Sequence, residues 1–372
     1  MFANKRQEGQ ALVLSIFFLC LFSIFLTGFF QTAWIVQQKI RLQLSADAAI
    51  LSALNVQVNT LNTISLVNRG VLANDALAAQ LNALVSESSF YRKMAEKFSR
   101  LLHFVPYAGA IANFLTRGIH TLEILIKRVA MGVLPVARLS NRSLEFSNRG
   151  IHHLFPHQCL NATKKVLSRN MPCAELHPLS HAEIIRQAYS MHRGLVDLDR
   201  ENLERLRIGT MDKHTKTRNW RISIAGISPV KKTGGTSLHN GSLVARDKLK
   251  IRVFSSYRWK WKTVLSTKSD ANDFGYRSPE HLLTLSSREK KPLLSLAIVA
   301  QATPVPFPGN LALGERKLTA VTAASLVYKR PSKPQEGANT FNPFWETRLI
   351  PVASEASLKK IIPDILLKEI RH

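Results

Sequence analysis

The chain has 372 residues, with 51 Lys and Arg against 25 Asp and Glu, a formal net charge of +26. Hydrophobic residues make up 45% of it, which excludes a disordered polyelectrolyte and leaves material for one large or two modest domains. A field of this sign selects polyanionic neighbours such as anionic lipid headgroups, acidic envelope polymers or an acidic partner protein; nucleic acid is not expected unless the basic part faces the cytoplasm.

Residues 10–38 contain no charged side chain. A bilayer core about 30 Å thick needs roughly 20 apolar helical residues, and residues 11–36 supply 26, with six Phe among them. Sixteen of these are Leu, Ile, Val or Phe, so at roughly −0.4 kcal/mol each the insertion term is on the order of −6 kcal/mol. The run is too long for the apolar region of a cleaved secretory signal, and Gln31-Thr32-Ala33 is a poor cleavage site, so it reads as a retained anchor. Lys5 and Arg6 assign residues 1–10 to a cytoplasmic tail, which places everything after residue 36 outside the cytoplasm. About +25 of the net charge then belongs to the exported part.

Residues 37–212 read as a helical extracytoplasmic region. From 40 to about 80 the chain is rich in Ala, Leu, Val, Asn and Ser, with no Pro and only Gly70, which predicts a long helix continuous with the anchor. Polar or small residues recur every seven positions, Ser45, Ser52 and Asn59 on one line and Ala48, Asn55 and Asn62 on the next. Ser45, Asp47, Asn55, Asn59 and Asn62 are therefore candidate helix-packing positions, with a solvated face as the simpler reading of the Asn stripe. A second helical block spans 86–102 and a third 110–134. In the third, Ile111, Phe114, Leu115, Ile119, Leu122, Leu125, Ile126 and Val129 form a stripe at helical spacing, expected to face a domain core, with a membrane surface as the alternative. Ser180-His181-Ala182-Glu183 reads as a capping box opening a charged helix that Gly209 stops.

Of three cysteines, Cys20 lies in the apolar run, while Cys159 and Cys173 make an even pair on the oxidising side and are the disulfide candidate. A zinc set of Cys159, Cys173, His177 and His181 is the lesser alternative, because the two Cys are too far apart in sequence to resemble the tight Cys pairs of structural zinc sites.

Residues 213–352 read as a β-rich basic region. Trp220, Ile222 and Ile224 alternate with smaller or charged residues, and Gly234-Gly235 and Asn240-Gly241 read as turns. Lys248, Lys250 and Arg252 alternate with apolar residues, and Arg258, Lys260 and Lys262 alternate with Tyr257, Trp259 and Trp261. These six cations are the candidate polyanion-facing set, on a strand pair buried on its other side, with the two Trp in the core. Residues 293–302 and 318–329 are further strands, 342–345 a loop, and 353–372 a C-terminal amphipathic helix carrying Leu358, Ile361, Ile362, Ile365 and Leu366.

No phosphate-binding loop, nucleophile elbow, His-Glu-x-x-His helix or Cys-x-x-Cys pair occurs. The cluster of Asp197, Asp199, Glu201 and Glu204 is interleaved with Arg193, Arg200, Arg205 and Arg207, as in helix ion pairs. No catalytic, cofactor or metal site is expected.

Gly9-Gln10-Ala11-Leu12-Val13, a long apolar helix, and then Leu42-Gln43-x-Ser45-Ala46-Asp47-Ala48-Ala49 resemble, in order and spacing, the N-terminus of the TadE/TadG-like proteins of the tight-adherence (Flp) pilus system. The resemblance covers about residues 8–55. The pseudopilin members are cut after Gly and carry Glu at the fifth mature position, where a cut after Gly9 would leave Leu14. The metal-binding Asp-x-Ser-x-Ser motif of some TadG-type members does not occur. The resemblance implies a single-pass protein of a bacterial inner membrane that supports pilus assembly or a related secretion apparatus without catalysis, partnered by pilins or other assembly proteins. The expected architecture is α+β: an N-terminal transmembrane helix extended into a long helix, a helical region and a β-rich C-terminal region. A membrane-anchored envelope enzyme is an alternative. So is a nucleic-acid binder, if the topology is inverted, since aromatics between cations suit single strands.

Overall fold

The computed structural model describes residues 4–102, 104, 107–224, 227–239, 241–255, 258–285, 294–305 and 317–351. Two long helices come first, α1 (Asn4–Leu102) and α2 (Ala108–Asn170). They are followed by β1 (Ala174–Leu176), α3 (Pro178–Gly194), β2 (Leu195–Asp197), α4 (Arg200–Thr210) and α5 (Lys213–Lys216). The β-rich part comprises β3 (Trp220–Ile224), β4 (Ile227–His239), β5 (Ser242–Ser255), β6 (Arg258–Asp270), β7 (Leu283–Leu285), β8 (Ser295–Ala302), β9 (Leu318–Tyr328) and β10 (Trp345–Ile350). This is the expected α+β order. The expected C-terminal amphipathic helix lies outside the described residues.

The 99 residues of α1 form one uninterrupted helix, about 150 Å long at 1.5 Å per residue. Nothing breaks it: between residues 4 and 102 there is no Pro, and only Gly9, Gly28 and Gly70 lower its propensity. Its first part is long and apolar enough to cross a membrane, and its most apolar window packs against nothing else in the chain. From Gln38 onward the situation reverses, and Leu42, Ala46, Ala49, Ile50, Ala53, Leu54, Leu61 and Ile64 are buried. At about 1.5–3 kcal/mol for each large side chain removed from water, this change of surroundings is what divides the helix functionally.

The second block at 86–102 is the end of α1, and the third continues to Asn170 as α2, passing through Pro135 and Pro156. The two helices form an antiparallel hairpin with a polar seam. Asn148 donates to Asn68 at 3.3 Å, Asn74 donates to Asn141 at 2.8 Å, and Ser89 donates to Glu123 at 2.6 Å. On α1 the buried members Asn68, Asp75 and Asn82 stand seven residues apart, a column that fixes the register of the hairpin where an all-aliphatic seam could slide.

Each end of the hairpin carries an antiparallel sheet. The order β1-β8-β9-β10 packs beside residues 34–62 of α1, and the meander β3-β4-β5-β6 packs beside residues 82–97. The first shares a core with α1, α3 and the end of α2, where Ala46, Ala49 and Ala53 meet Ala300, Ala320 and Ala324, small side chains that let sheet and helix approach closely.

Three local expectations are corrected. The Ser180 capping box is not used: His177 caps α3 by accepting from Leu179 N, Pro178 sits in the first turn, and the buried Ser180 hydroxyl bonds to the backbone of Val299. The charged helix is interrupted, because residues 195–197 leave α3 to pair with β7, and α4 starts afresh with Asp199 as its cap. Gly234-Gly235 is not a turn but the middle of β4: a Cβ on Gly234 would stand 2.0 Å from Asp247 Oδ1, and one on Gly235 would stand 2.7 Å from Lys216 O. Between β4 and β5 it is Gly241, with φ +75°, that takes a turn conformation.

Candidate functional site

Helix α1 is a spine whose amide side chains clamp strand backbone. An amide offers both a donor and an acceptor, so it can pair with an unpaired peptide as a neighbouring strand would. Asn62 donates to Trp345 O at 3.2 Å and accepts from Trp345 N at 3.1 Å. Gln38 repeats this with Val305, at 2.7 and 2.9 Å. Asn68 donates to the carbonyls of Leu283 and Thr340, and Asn82 to those of Leu243 and Ser269.

The candidate packing positions divide accordingly. Asn62 holds β10, and Asn55 accepts from Thr347 Oγ1 at 3.0 Å on the same strand. Ser45 is buried and donates to Arg41 O, while Asp47 accepts from Gln43, which also donates to Val321 O. These four serve the chain's own fold; Asn59 alone is exposed with no side-chain bond to another element among the described residues. Gln38, Asn68 and Asn82, which sequence periodicity did not single out, are equal members of the clamp. Their signal was the isolated amide on an otherwise apolar helix face.

The expected disulfide is not formed. Cys159 and Cys173 are free thiols, the first buried and the second exposed. Helix α2 continues from Cys159 to Asn170, a rise of about 17 Å, whereas a disulfide needs Cα atoms within about 7 Å. Burial pushes the Cys159 thiol up to about 11, with Gln57 donating to its sulfur.

Nor do Cys159, Cys173, His177 and His181 converge. The imidazoles that do are His152, His153 and His192, with ligand atoms within 4.8 Å of one another. His152 and His192 are stacked, ring centroids 3.9 Å apart at 15°, and each has a ring nitrogen 2.9 Å from the other's carbonyl oxygen. Stacked rings direct their remaining nitrogens along parallel planes, which does not suit a tetrahedral ion. Burial first, and then the neighbouring imidazoles, hold His152 below its ordinary value.

The meander β3-β4-β5-β6 is fastened to α1 by buried charges. Asp247 meets Arg218 Nε at 3.2 Å and Lys232 Nζ at 3.5 Å and accepts from Ser86 at 2.6 Å. Lys232 also reaches Glu87 at 2.6 Å. Two anions and two cations balance, which is what makes such a cluster tolerable away from water. Nearby, Arg207 pairs with Asp75 at 2.7 Å, and the Tyr276 hydroxyl donates to the same carboxylate; burial and that negative charge raise the Tyr276 pKa.

Directly opposed residues of an antiparallel pair share a face. Asp247 and Lys232 point to α1, so the alternate residues Arg221, Lys231, Arg246, Lys248, Lys250 and Arg252 point to solvent. The register of β6 then corrects the six-cation reading. Lys250, Arg252 and Phe254 oppose Thr263, Trp261 and Trp259, whereas Ile251 and Val253 oppose Lys262 and Lys260. Lys248, Lys250 and Arg252 therefore share the outer face with the two Trp, and Arg258, Lys260 and Lys262 are on the reverse. A register shift between Leu249 and Lys250, with Val264 as the extra residue, produces this.

Trp259 and Trp261 are not core: they are 54% and 37% exposed. Lys231 Nζ sits 4.0 Å over the Trp261 ring, Arg252 5.5 Å over Trp259, and Phe254 packs edge-on to Trp259 at 5.4 Å. The Lys231 ammonium is held below its ordinary value by desolvation and then by the like charges of Arg221 and Lys250. The outer face is thus a crowded basic surface carrying three exposed aromatic rings. It lies about 70 Å of helix rise beyond residue 36, many Debye lengths from any membrane that the apolar segment crosses.

In comparisons with protein-family models, curated proteins and solved structures, nothing matches the chain.

Proposed function

We propose that the protein is a non-catalytic, single-pass stalk of the bacterial inner membrane that acts in assembly of a tight-adherence-type pilus or a related secretion apparatus. Residues 11–36 anchor it with the N-terminus in the cytoplasm, and the remainder stands outside. The observation that carries this reading is the single helix α1, whose most apolar window packs against nothing else in the chain while its continuation is sheathed by two sheets. A rigid helix that leaves a membrane and holds binding surfaces at two heights is suited to guiding neighbouring helical subunits as they leave the bilayer. The resemblance of residues 8–55 to TadE/TadG-like proteins supports the same role, and the work of the exported part is protein and polyanion binding.

The test is fractionation of cells carrying a C-terminally tagged copy, with protease added to intact cells and to spheroplasts. Full-length protein in the inner membrane that is digested only in spheroplasts is the expected result. Tagged protein in sheared surface filaments would make it a filament subunit, and a tag resistant to protease even in spheroplasts would reverse the topology.

A second reading is favoured by one observation, the exposure of Trp259, Trp261 and Phe254 among cations. Such a surface stacks single-stranded nucleic acid, and this becomes the function if the spheroplast experiment places the sheet in the cytoplasm.

A further inference from the structure

Helix α2 wears its apolar stripe on the outside. The side turned to α1 carries Glu123, Ala130, Ala137, Asn141 and Asn148, all buried. On the solvent side, Leu115, Leu122, Val129 and Val136 repeat every seven residues. Beside them runs a second seven-residue line, Ile111, Gly118, Leu125, Gly132, Leu139 and Phe146. Taken together the spacings alternate between four and three from 111 to 139, four heptads, and the exposed polar Ser143 takes the next place before Phe146; every member from 111 to 146 is exposed, and none carries a charge. Ile111, Leu115, Leu122, Leu125 and Val129 of the stripe that resembled a domain core thus line an a/d seam left exposed by the described residues.

We infer that this seam is the interface with a second copy of the same chain, the two α2 helices pairing side by side, in register and parallel. The period is the first reason. A stripe meant for a sheet or a lipid surface needs only helical spacing near 3.6, whereas a strict 3.5 repeat keeps its line only when two helices wind around each other. Area is the second. Eight large apolar side chains on the seam are each at least 45% exposed; at roughly 80–100 Å² apiece they amount to about 600–800 Å² per copy, close to the ~800 Å² per partner of a stable interface.

Charge and shape select the parallel arrangement. The flanking cations Arg128 and Arg142 stand on the same edge of the seam. Parallel helices set that edge against the partner's other edge, which carries Ile126, Val133 and Ser140, whereas antiparallel helices would bring Arg128 against Arg128. Any bend at Pro135 is also repeated at the same height in a parallel copy. Anchoring in one membrane imposes this polarity, and that part of the inference rests on the proposed topology.

Other occupants fit less well. The pairing of Asn148 with Asn68 and of Asn113 with Ser99 places the seam about 50 to 95 Å of helix rise beyond residue 36. A membrane crossed by residues 11–36 cannot reach it. Residues 352–372 would extend at most about 32 Å as a helix, against about 52 Å for the seam.

The experiment is cysteine cross-linking of the full-length protein in native membranes, with Cys20, Cys159 and Cys173 replaced. Under mild oxidation, Leu125→Cys and Val129→Cys should each give a disulfide-linked species of twice the chain mass, and the exposed off-seam Met131→Cys should not. Adding Leu122→Lys to Val129→Cys should reduce the cross-link at least tenfold while leaving the helix content of the chain unchanged, because Leu122 is 53% exposed and outside the buried face of α2. Equal cross-linking at Met131→Cys, a product of another mass, or seam cysteines shielded from maleimide until residues 352–372 are deleted would each overturn the inference. A disulfide between an Ile111→Cys chain and a Phe146→Cys chain would overturn the parallel pairing; the spheroplast experiment tests the topology separately.

Discussion

Asn62 of α1 and Trp345 of β10, 283 residues apart in the chain, exchange two hydrogen bonds through one amide side chain and one peptide unit. The helix thereby supplies the missing neighbour of an edge strand and blunts an edge that would otherwise invite pairing. Replacing Asn62 by Ala leaves a partly buried N–H and C=O without partners and should cost about 1–3 kcal/mol, read as a lower urea midpoint. Amide exchange at Trp345 should accelerate more than exchange in β8, which lies inside its sheet. A variant with an unchanged midpoint would mean the clamp is incidental.

Asp247 is the charge on which the outer sheet turns. Asp247→Ala leaves the buried Arg218 without its carboxylate and Lys232 with Glu87 alone, and should destabilise by about 3–5 kcal/mol, far more than loss of an exposed pair such as Arg277 with Glu280. Gly234→Ala attacks the same point sterically and should also lower the melting temperature, since its Cβ would displace the Asp247 carboxylate. If both variants melt like the parent, the cluster does not hold the sheet.

The stacked imidazoles give the fold a pH dependence whose sign is set by burial. His152 is held below its ordinary value of 6.5 in the folded state, so when pH falls through about 6.5 the unfolded chain takes up a proton that the folded chain resists. Stability from this group is complete above that pH and is lost below it until the folded-state value is reached. The drop in urea midpoint between pH 7.5 and pH 5.5 should therefore be smaller in His152→Phe than in the parent. An equal drop would assign the dependence to other groups.

The two cysteines should differ in access. Cys173 should label with maleimide in the native protein and Cys159 only after denaturation, with no change on adding a reductant. Protection of both thiols that a reductant relieves would restore the disulfide.

The outer basic face should bind polyanions more strongly than its reverse. Vesicles containing phosphatidylglycerol are a suitable probe of the isolated exported region if it folds, or of the detergent-solubilised chain if it does not. Lys248→Glu, Lys250→Glu and Arg252→Glu together should weaken binding at least tenfold and flatten its salt dependence. The corresponding reversal of Arg258, Lys260 and Lys262 should do less, because those cations lack the Trp-bearing neighbours. Equal effects would mean that net charge, and not this face, governs binding.

The sequence by itself determined the elements whose physics is local. An uncharged apolar run, a Pro-free Ala- and Leu-rich continuation, and a change to alternating Trp, Ile, Lys and Arg were enough for an α+β order with one candidate membrane helix. The tertiary structure alone decided which face each pattern presents. The α2 stripe has helical spacing whether or not anything covers it, and α1 is covered instead by the polar and small side of α2, since Asn68 and Asn74 take Asn148 and Asn141 as partners. The two cation triplets look alike as strings, yet a single register shift at Val264 sets where each stands relative to Trp259 and Trp261. The amides at Gln38 and Asn62 found their partners at Val305 and Trp345 because only the folded chain leaves those peptides without a strand neighbour.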